Sequence, residues 1–587
     1  MRAAVVGRLK EAAVLLAIAG QSATADQFNA AAAFLLAHLP KKKDAAWLES
    51  RVTESPPGSV GHQAWLLAKE ALDGKTGVII STLRKELPQP VVQLLRIRGM
   101  GPRQIHTAWK QLGVTSLERL VDRLHDGSLV TNGVLDPLTA ENMKRTAVEF
   151  QSCTRFILRP DLEAAVASIA SRLLVVKGAE MVEVVGEPAR GVPGVPPIKL
   201  LVGTHHRTLA TNQLLEFMGG ETPETNHPGA PTTLNLLVRG IPMEVSFCEP
   251  GQFAIRSYRE SSTPDHWLAL LDALNNVGYS VRDDRLCNDK GDAKPLELSR
   301  PQDIFAVAGL QFIDSERRGD PLMVPRATQG VLPPLIRLED IQGDLHTHTD
   351  CSDGDASPAQ MIAAASTLGY SYLAITDHSH STWTAGGLAP ENVSEYVSAI
   401  RRLSLGQSAL QVLVGVEVDI LSDGSLDLPD SALSQFDIVI ASIHSDFHLP
   451  TETLLRRLDL ALSNPLVNAL AHPTGRLLHR RSGLPIPQRA LVEIARRHGV
   501  WIELNSNPER LDLDASGVAT CASLGVPVMI SSDAHNTDDL RQIRWGVQEA
   551  RVAGLEPHQV VNTWPLHKLR KALVSRRHPL SGHHQND

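Results

Sequence analysis

The chain has 587 residues, too many for one hydrophobic core, and its length points to roughly three to five domains. Its 43% hydrophobic and 21% charged residues are those of an ordinary globular protein, and the lack of any run of eighteen apolar residues excludes a simple membrane span. The net charge of −8 is unevenly spread: residues 1–160 hold 21 Lys and Arg against 14 Asp and Glu, and the remainder 36 against 51. A basic front and an acidic rear fit a polyanion-binding module joined to a metal-binding one. The five cysteines (Cys153, Cys248, Cys287, Cys351, Cys521) show no CxxC spacing, which argues for a reducing, cytoplasmic setting and against a disulfide framework.

Arg2, Arg8 and Lys10, followed by an apolar stretch and Ser22-Ala23-Thr24-Ala25, imitate a secretory leader. Glu11 interrupts that stretch, and Val5, Leu9, Val14, Leu15 and Ile18 share a helical face, so a helix is expected instead. Residues 1–85 read as short amphipathic helices. In 86–154, Leu94, Leu95 and Ile97 lead into Gly99-Met100-Gly101, and Ile105, Ala108, Trp109 and Leu112 form the next helical face. Two glycines at that spacing turn the chain tightly and leave backbone N–H groups at the start of the second helix, where they bind phosphate without reading bases. With Arg98, Arg103 and Lys110 flanking Gly99 and Gly101, the segment resembles a helix-hairpin-helix DNA-backbone motif. A glycine turn inside a plain helical bundle is the alternative.

Residues 155–260 change towards βαβ, with strand-like runs at 181–185, 199–202, 234–238 and 243–247, and 261–320 read as a small α/β unit. The Pro-rich stretch 321–340 reads as an extended linker, 341–575 as a further domain and 576–587 as a flexible tail.

From residue 341 an apolar run repeatedly ends in a metal-ligand type: GDLHTHTDCSDG (343–354), YLAITDHSH (372–380), VLVGVEVDI (412–420), DIVIASIHS (437–445), VNALAHP (467–473) and PVMISSDAH (527–535). In a barrel of alternating strands and helices, the C-terminal strand ends converge on one mouth, so six such segments deliver His, Asp and Glu to one place. These motifs resemble those of the PHP (polymerase and histidinol phosphatase) family. The resemblance implies a distorted (β/α)7 barrel holding three divalent ions, Zn²⁺ or Mn²⁺. By position it assigns His346, His348 and Asp533 to one ion and Glu417 as the bridge to a second completed by His444 and His472. Asp353, His378 and His535 would hold the third, with Glu417, Asp533 and His378 at catalytic positions. Cys351 lies in the same loop as Asp353. Arg476, in AHPTGRLL, is either a contact to substrate phosphate or an exposed loop arginine.

The order of segments resembles bacterial and archaeal family X DNA polymerases with a C-terminal PHP domain, which implies a nucleotidyltransferase-like palm at 155–260 and a thumb at 261–320. That family holds two Mg²⁺ with three palm aspartates. Here Pro197, Lys199 and Glu244 fall at those positions, Glu187 replaces a phosphate-binding serine, and no aspartate occurs between Asp161 and Asp265. The expected function is hydrolysis of DNA phosphodiesters, as a 3′–5′ exonuclease or end-processing enzyme, with a DNA-binding front half inactive as a polymerase. A phosphomonoesterase acting on a small metabolite is the alternative; a working polymerase requires a different palm alignment. The sequence does not fix the oligomeric state.

Overall fold

A computed structural model describes residues 2–576 apart from 39–49, 52–55, 57–58, 73–76, 97–99, 142, 145–156, 176–178, 194–195, 218–232, 290–293, 382–385, 405–409 and 479. The expected tail at 577–587 lies outside the described residues. The chain forms two compact units, residues 1–154 with 479–482, and 155–478 with 483–587. No described helix is long and apolar enough to cross a membrane.

The first unit is helical, with helices Arg2–Ile18, Ser22–His38, Val60–Leu72, Val78–Glu86, Pro102–Leu112 and Leu117–His125 among its elements. The opening helix is neither short nor one-sided. Val5, Val6, Leu9, Ala12, Ala13, Leu15, Leu16 and Ile18 are all buried, because small alanines on several faces let neighbouring helices approach from each side. Arg8 and Glu11 pair at 2.9 Å on its outer edge.

The second unit begins with a four-stranded sheet of order β1-β2-β4-β3, formed by Met181–Val185 (β1), Ile198–Gly203 (β2), Thr233–Val238 (β3) and Ile241–Cys248 (β4). β2 and β4 run parallel; the outer pairs are antiparallel. Helices Arg159–Val175 and Arg207–Phe217 bury Ala165, Ile169, Leu173, Ala210 and Leu214 against the core side of this sheet. A hairpin of Tyr279–Arg282 (β5) and Arg285–Asn288 (β6) and the helices around it follow.

The stretch 321–340 is not an extended linker. Its helix Met323–Gln329 puts Val324 and Ala327 into one core with Leu270, Leu274 and Leu332. The Gln311 side chain clasps Leu332, donating to its carbonyl and accepting from its N–H. Prolines at 321 and 325 suggest extension, but both fall in the first turns around the helix, where a missing N–H costs little.

Seven parallel strands complete the chain: Gly343–Asp344 (β7), Tyr372–Ile375 (β8), Gln411–Asp419 (β9), Ile438–Ser442 (β10), Ala469–Leu470 (β11), Trp501–Asn505 (β12) and Val528–Ser531 (β13), neighbours in chain order. Thr347 bridges Ala534 in parallel just beyond β7 and β13, which brings the two edges together as a barrel. Strands buried on both faces read as unbroken apolar runs, which is why the polar residues at their ends stand out. Gly415 on β9 is required by close packing: a Cβ there would lie 2.6 Å from Thr376 and 2.7 Å from Ile438 side chains.

The helix Ile543–Val552 joins barrel and sheet within this unit. Arg159 pairs with Glu549, both almost fully buried; Arg544 reaches Glu163 at 2.8 Å, and Arg551 reaches Glu316 at 2.6 Å and Asp314 at 3.0 Å.

Candidate metal centre

All nine residues assigned to ions by the motifs meet beyond the C-terminal strand ends. Glu417, near the end of β9, is 1% exposed and divides its two oxygens. Oε1 lies 2.8 Å from His472 Nε2 and 3.5 Å from His444 Nε2. Oε2 lies 2.9 Å from His378 Nδ1 and 3.4 Å from the Nε2 atoms of both His346 and His348. Asp533 Oδ1 stands 3.2 Å from His348 Nε2 and 3.7 Å from His346 Nε2. Asp353 Oδ2 lies 3.5 Å from Nε2 of both His378 and His535.

Three groups have donor atoms within 4.8 Å of one another: His346, His348 and Asp533; His378, Glu417 and His444; and His348, Asp353, His378 and His535. Two groups contain the expected partners. The middle one brings His378 to Glu417 and His444, while His472 approaches through Glu417.

The donor set fits divalent ions. His348 Nδ1 and His472 Nδ1 are buried without a hydrogen-bond partner, and His378 Nδ1 and Glu417 Oε2, though 2.9 Å apart, lack hydrogen-bond geometry. Each such atom costs about 1–3 kcal/mol unless something external satisfies it, and imidazole with carboxylate suits Zn²⁺ or Mn²⁺. His472 and Asp533 also hold left-handed backbone angles, φ 27° and 54°, uncommon for residues with a side chain and typical of sites where geometry is imposed.

Electrostatics divide the histidines. Burial pushes His348 down to about 3, reinforced by His378 and His535, which leaves a neutral ring with lone pairs to give. Burial would also depress His346 and His378. The carboxylates of Glu503, Glu417 and Asp533 outweigh it for His346, and Glu417 and Asp353 for His378, so both lie well above the ordinary value. Against the same burial penalty, the surrounding rings hold Glu417 and Asp533 well below the usual carboxylate range. Such a cluster holds protons only until a stronger cation takes their place.

An outer layer of carboxylates fixes the rings and the Asp353 loop, and the motif reading gave it no role. Glu503 on β12, fully buried, lies 2.7 Å from His346 Nδ1, accepts the His472 N–H at 2.5 Å and accepts from Ser531 at 2.8 Å. Asp419 lies 2.5 Å from His444 Nδ1. Asp377 accepts from Thr349, Ser352 and Tyr396, bracing the loop that carries Asp353. Both outer acids carried a signal: Asp419 follows Glu417 by two residues, hence on the same strand face, and WIELN has the same apolar-run-then-acid form as VLVGVEVDI. Cys351 sits in the Asp353 loop with its residue surface exposed, and partial desolvation of the thiol together with Asp377 pushes its pKa up.

Arg476 is not presented to the mouth as a free cation. Its Nε–H donates to Arg510 O at 2.8 Å, a second nitrogen donates to Leu511 O, and a third reaches Asp514 at 3.4 Å.

Of the hairpin residues, Arg98 and Gly99 lie outside the described residues. Gly101 caps the helix Pro102–Leu112, its N–H donating to Gln104 Oε1 at 2.7 Å. Arg103 is held by Asp26 at 2.7 Å, and Lys110 Nζ lies 3.7 Å over the Trp109 ring. In the four-stranded sheet, the register sets Lys199 beside Glu244, Nζ to Oε1 3.9 Å. They line a cavity of about 600 Å³ together with Glu187, Arg190 and Pro197.

Residues 344–477 match the PHP domain family. Over 505 residues the chain is 30% identical to the DNA polymerase/3′-5′ exonuclease PolX of Bacillus subtilis, covering 86% of this chain and 88% of that protein. A probable phosphatase of Thermoanaerobacter sp. is 28% identical over 251 residues, 41% of this chain and 97% of that protein. One of Caldicellulosiruptor saccharolyticus is 29% identical over 233 residues, 38% of this chain and 91% of that protein. A metal-ligand cluster at the mouth of a seven-stranded barrel, preceded by a polymerase-like sheet in a chain alike almost end to end, makes this protein a member of the family X DNA polymerases with a C-terminal PHP domain, and a metal-dependent phosphoesterase.

Proposed function

We propose that the barrel mouth hydrolyses DNA phosphodiester bonds, as a 3′–5′ exonuclease or end-processing activity, while the front half binds DNA and does not polymerise. The observation that carries the hydrolytic part is Glu417, buried with one oxygen towards His444 and His472 and the other towards His346, His348 and His378. That is the position of a carboxylate shared between neighbouring ions. These residues would hold divalent ions, three by the grouping of donors and Zn²⁺ or Mn²⁺ by their type, which would supply Lewis acidity and lower the pKa of water at the mouth. The chain itself fixes the donors: Glu503 and Asp419 orient His346 and His444, and the strained backbone at His472 and Asp533 aims both ligands inward.

The absence of polymerisation is supported by the Lys199–Glu244 pair. Two-ion transfer needs three carboxylates on neighbouring strands, and here one position carries an ammonium and another is Pro197. Template-directed extension of a primer should be undetectable with any divalent ion, and extension lost in Glu244→Ala would return the cleft to the polymerases. DNA binding by the front half is supported by the charge of residues 1–160 and by the hairpin helix Pro102–Leu112. Phosphate contact has to compete with Asp26 for Arg103, so Asp26→Asn should strengthen DNA binding at low salt, and Arg103→Ala should lower the salt slope by about one.

A phosphomonoesterase reading is favoured by one observation: two relatives named probable phosphatases match 41% and 38% of this chain over 97% and 91% of their own length. Mn²⁺- or Zn²⁺-loaded protein offered labelled single-stranded, gapped and 3′-blocked DNA beside a generic phosphate monoester separates the two. Turnover of the monoester with intact DNA would replace the nuclease proposal.

A further inference from the structure

The loop that follows β12 carries a cation at the rim of the metal centre. Arg510 Nε lies 3.3 Å from Asp533 Oδ2, and the arginine side chain is 20% exposed. Every other ion-pair partner of Asp353, Glu417 and Asp533 among the described residues is a histidine. Among the described residues, Arg510 is therefore the one non-histidine cation paired with these three carboxylates.

Asp533 divides its oxygens. Oδ1 faces His346, His348 and His535, while Oδ2 faces Arg510 and accepts from Asn505 Nδ2 at 3.0 Å. Among the described residues, no protein acceptor takes a hydrogen bond from the Arg510 guanidinium, which leaves its terminal donors for something else. The loop is gripped from behind by Arg476 at the carbonyls of Arg510 and Leu511, and Leu511 holds a left-handed φ of 45°. A backbone held so firmly keeps the guanidinium at the rim.

We propose that Arg510 takes the non-bridging oxygens of the substrate phosphoryl group at the barrel mouth, and that Arg476 is its positioning residue. The assignment rests on the phosphoesterase reading of the same mouth. Bound divalent ions would already outweigh the carboxylates of Asp353, Glu417 and Asp533, so Arg510 adds directed donors at the rim rather than the attraction itself. A guanidinium also matches two phosphoryl oxygens at once, which an ammonium does not. The shared chemistry is a phosphoryl oxyanion, carried equally by a DNA strand and by a small phosphate ester.

The test uses full-length protein loaded with Mn²⁺, inorganic phosphate as the probe, and ³¹P relaxation by the bound ion as the readout, with Mn²⁺ content measured in parallel. Arg510→Gln should weaken phosphate binding about tenfold to hundredfold with Mn²⁺ content unchanged. Arg510→Lys should recover part of the loss, and Arg476→Gln should fall between Arg510→Gln and wild type. Unchanged phosphate binding in Arg510→Gln overturns the assignment. So does loss of Mn²⁺ in step with phosphate, which would make Arg510 a support for Asp533 alone. Hydrolysis of bis(p-nitrophenyl) phosphate and p-nitrophenyl phosphate is read separately. No hydrolysis of either by wild type, with the phosphate loss present, strikes the phosphoesterase reading and leaves the arginine standing. Normal hydrolysis with an unchanged KM for both esters in Arg510→Gln sinks the arginine instead, and a raised KM for the diester alone names a nucleic-acid strand as the source.

Discussion

The barrel mouth and the cleft of the four-stranded sheet each place a strand glutamate among polar side chains, and they balance its charge in opposite ways. Glu417 is 1% exposed and meets five imidazoles, groups that can hand their place to an ion. Glu244 has a side chain 34% exposed and meets the ammonium of Lys199. A tethered ammonium brings charge but no open coordination position, so it can neither polarise a phosphoryl oxygen nor activate a water. One chain thus keeps a site built to receive cations beside a site that supplies its own.

The largest effect expected from that contrast is at Glu417. Glu417→Ala should cost at least about 10³-fold in phosphoester hydrolysis and lower the metal content by more than one equivalent, since its oxygens face two groups of donors. Lys199→Asp should leave hydrolysis unchanged and still give no primer extension, because Pro197 and Glu187 remain in the cleft. Retention of a tenth of the hydrolysis in Glu417→Ala would break the assignment of shared ions.

A smaller effect sharpens the comparison at the outer layer. Glu503→Gln removes a charge from behind His346 but keeps an acceptor, and should weaken metal binding about 10–100-fold, read as free-metal titration of the loaded protein. An unchanged affinity would mean that His346 is aimed by its strand alone.

These two layers also mark what the sequence made legible. His346, His348, His378, His444 and His472 stood out because each ends an apolar run, and a barrel gathers strand ends at one mouth. Glu503 and Asp419 shared the apolar-run-then-acid form of Glu417 but match no family ligand, and that they back histidines depends on neighbours on other strands. For Arg476 the sequence left a phosphate contact and an exposed loop arginine as alternatives, because the carbonyls it binds, 34 and 35 residues further on, come from the turn after β12. The Pro-rich stretch 321–340 misled through composition, since burial of Val324 and Ala327 depends on a core shared with Leu270, Leu274, Phe305 and Ile313 from earlier elements.

The join between sheet and barrel tests whether the polymerase-like half is held or merely attached. Glu549→Ala leaves the Arg159 guanidinium buried without its partner and should cost about 3–5 kcal/mol in chemical unfolding. Replacing both residues by apolar ones, Arg159→Met with Glu549→Leu, should recover most of that loss. An equal loss in the single and double variants would show that packing, not the ion pair, holds the join.

The smallest expected effect lies in the thumb-like region, far from either glutamate. His266 is fully buried, its Nδ1 2.8 Å from Asp320 O and its Nε2 2.7 Å from the Tyr258 hydroxyl. A neutral ring with its proton on Nδ1 satisfies both, donating to the carbonyl and accepting from the phenol, which burial keeps protonated. Burial lowers the His266 pKa from 6.5, opposed by the Asp320 carbonyl and reinforced by Arg318. The unfolded chain therefore takes up a proton near 6.5 that the folded chain refuses. The stability contributed by neutral His266 is fully present above that value and is lost as pH falls through the folded pKa. The difference in unfolding free energy between wild type and His266→Gln should be larger at about pH 8 than at about pH 5. Taking the difference cancels groups common to both proteins, including buried Asp344, whose carboxyl is raised to about 6 and so contributes with the opposite sign. A difference constant across that range would mean that His266 accepts a proton as readily folded as unfolded, and that its two hydrogen bonds do not fix its charge.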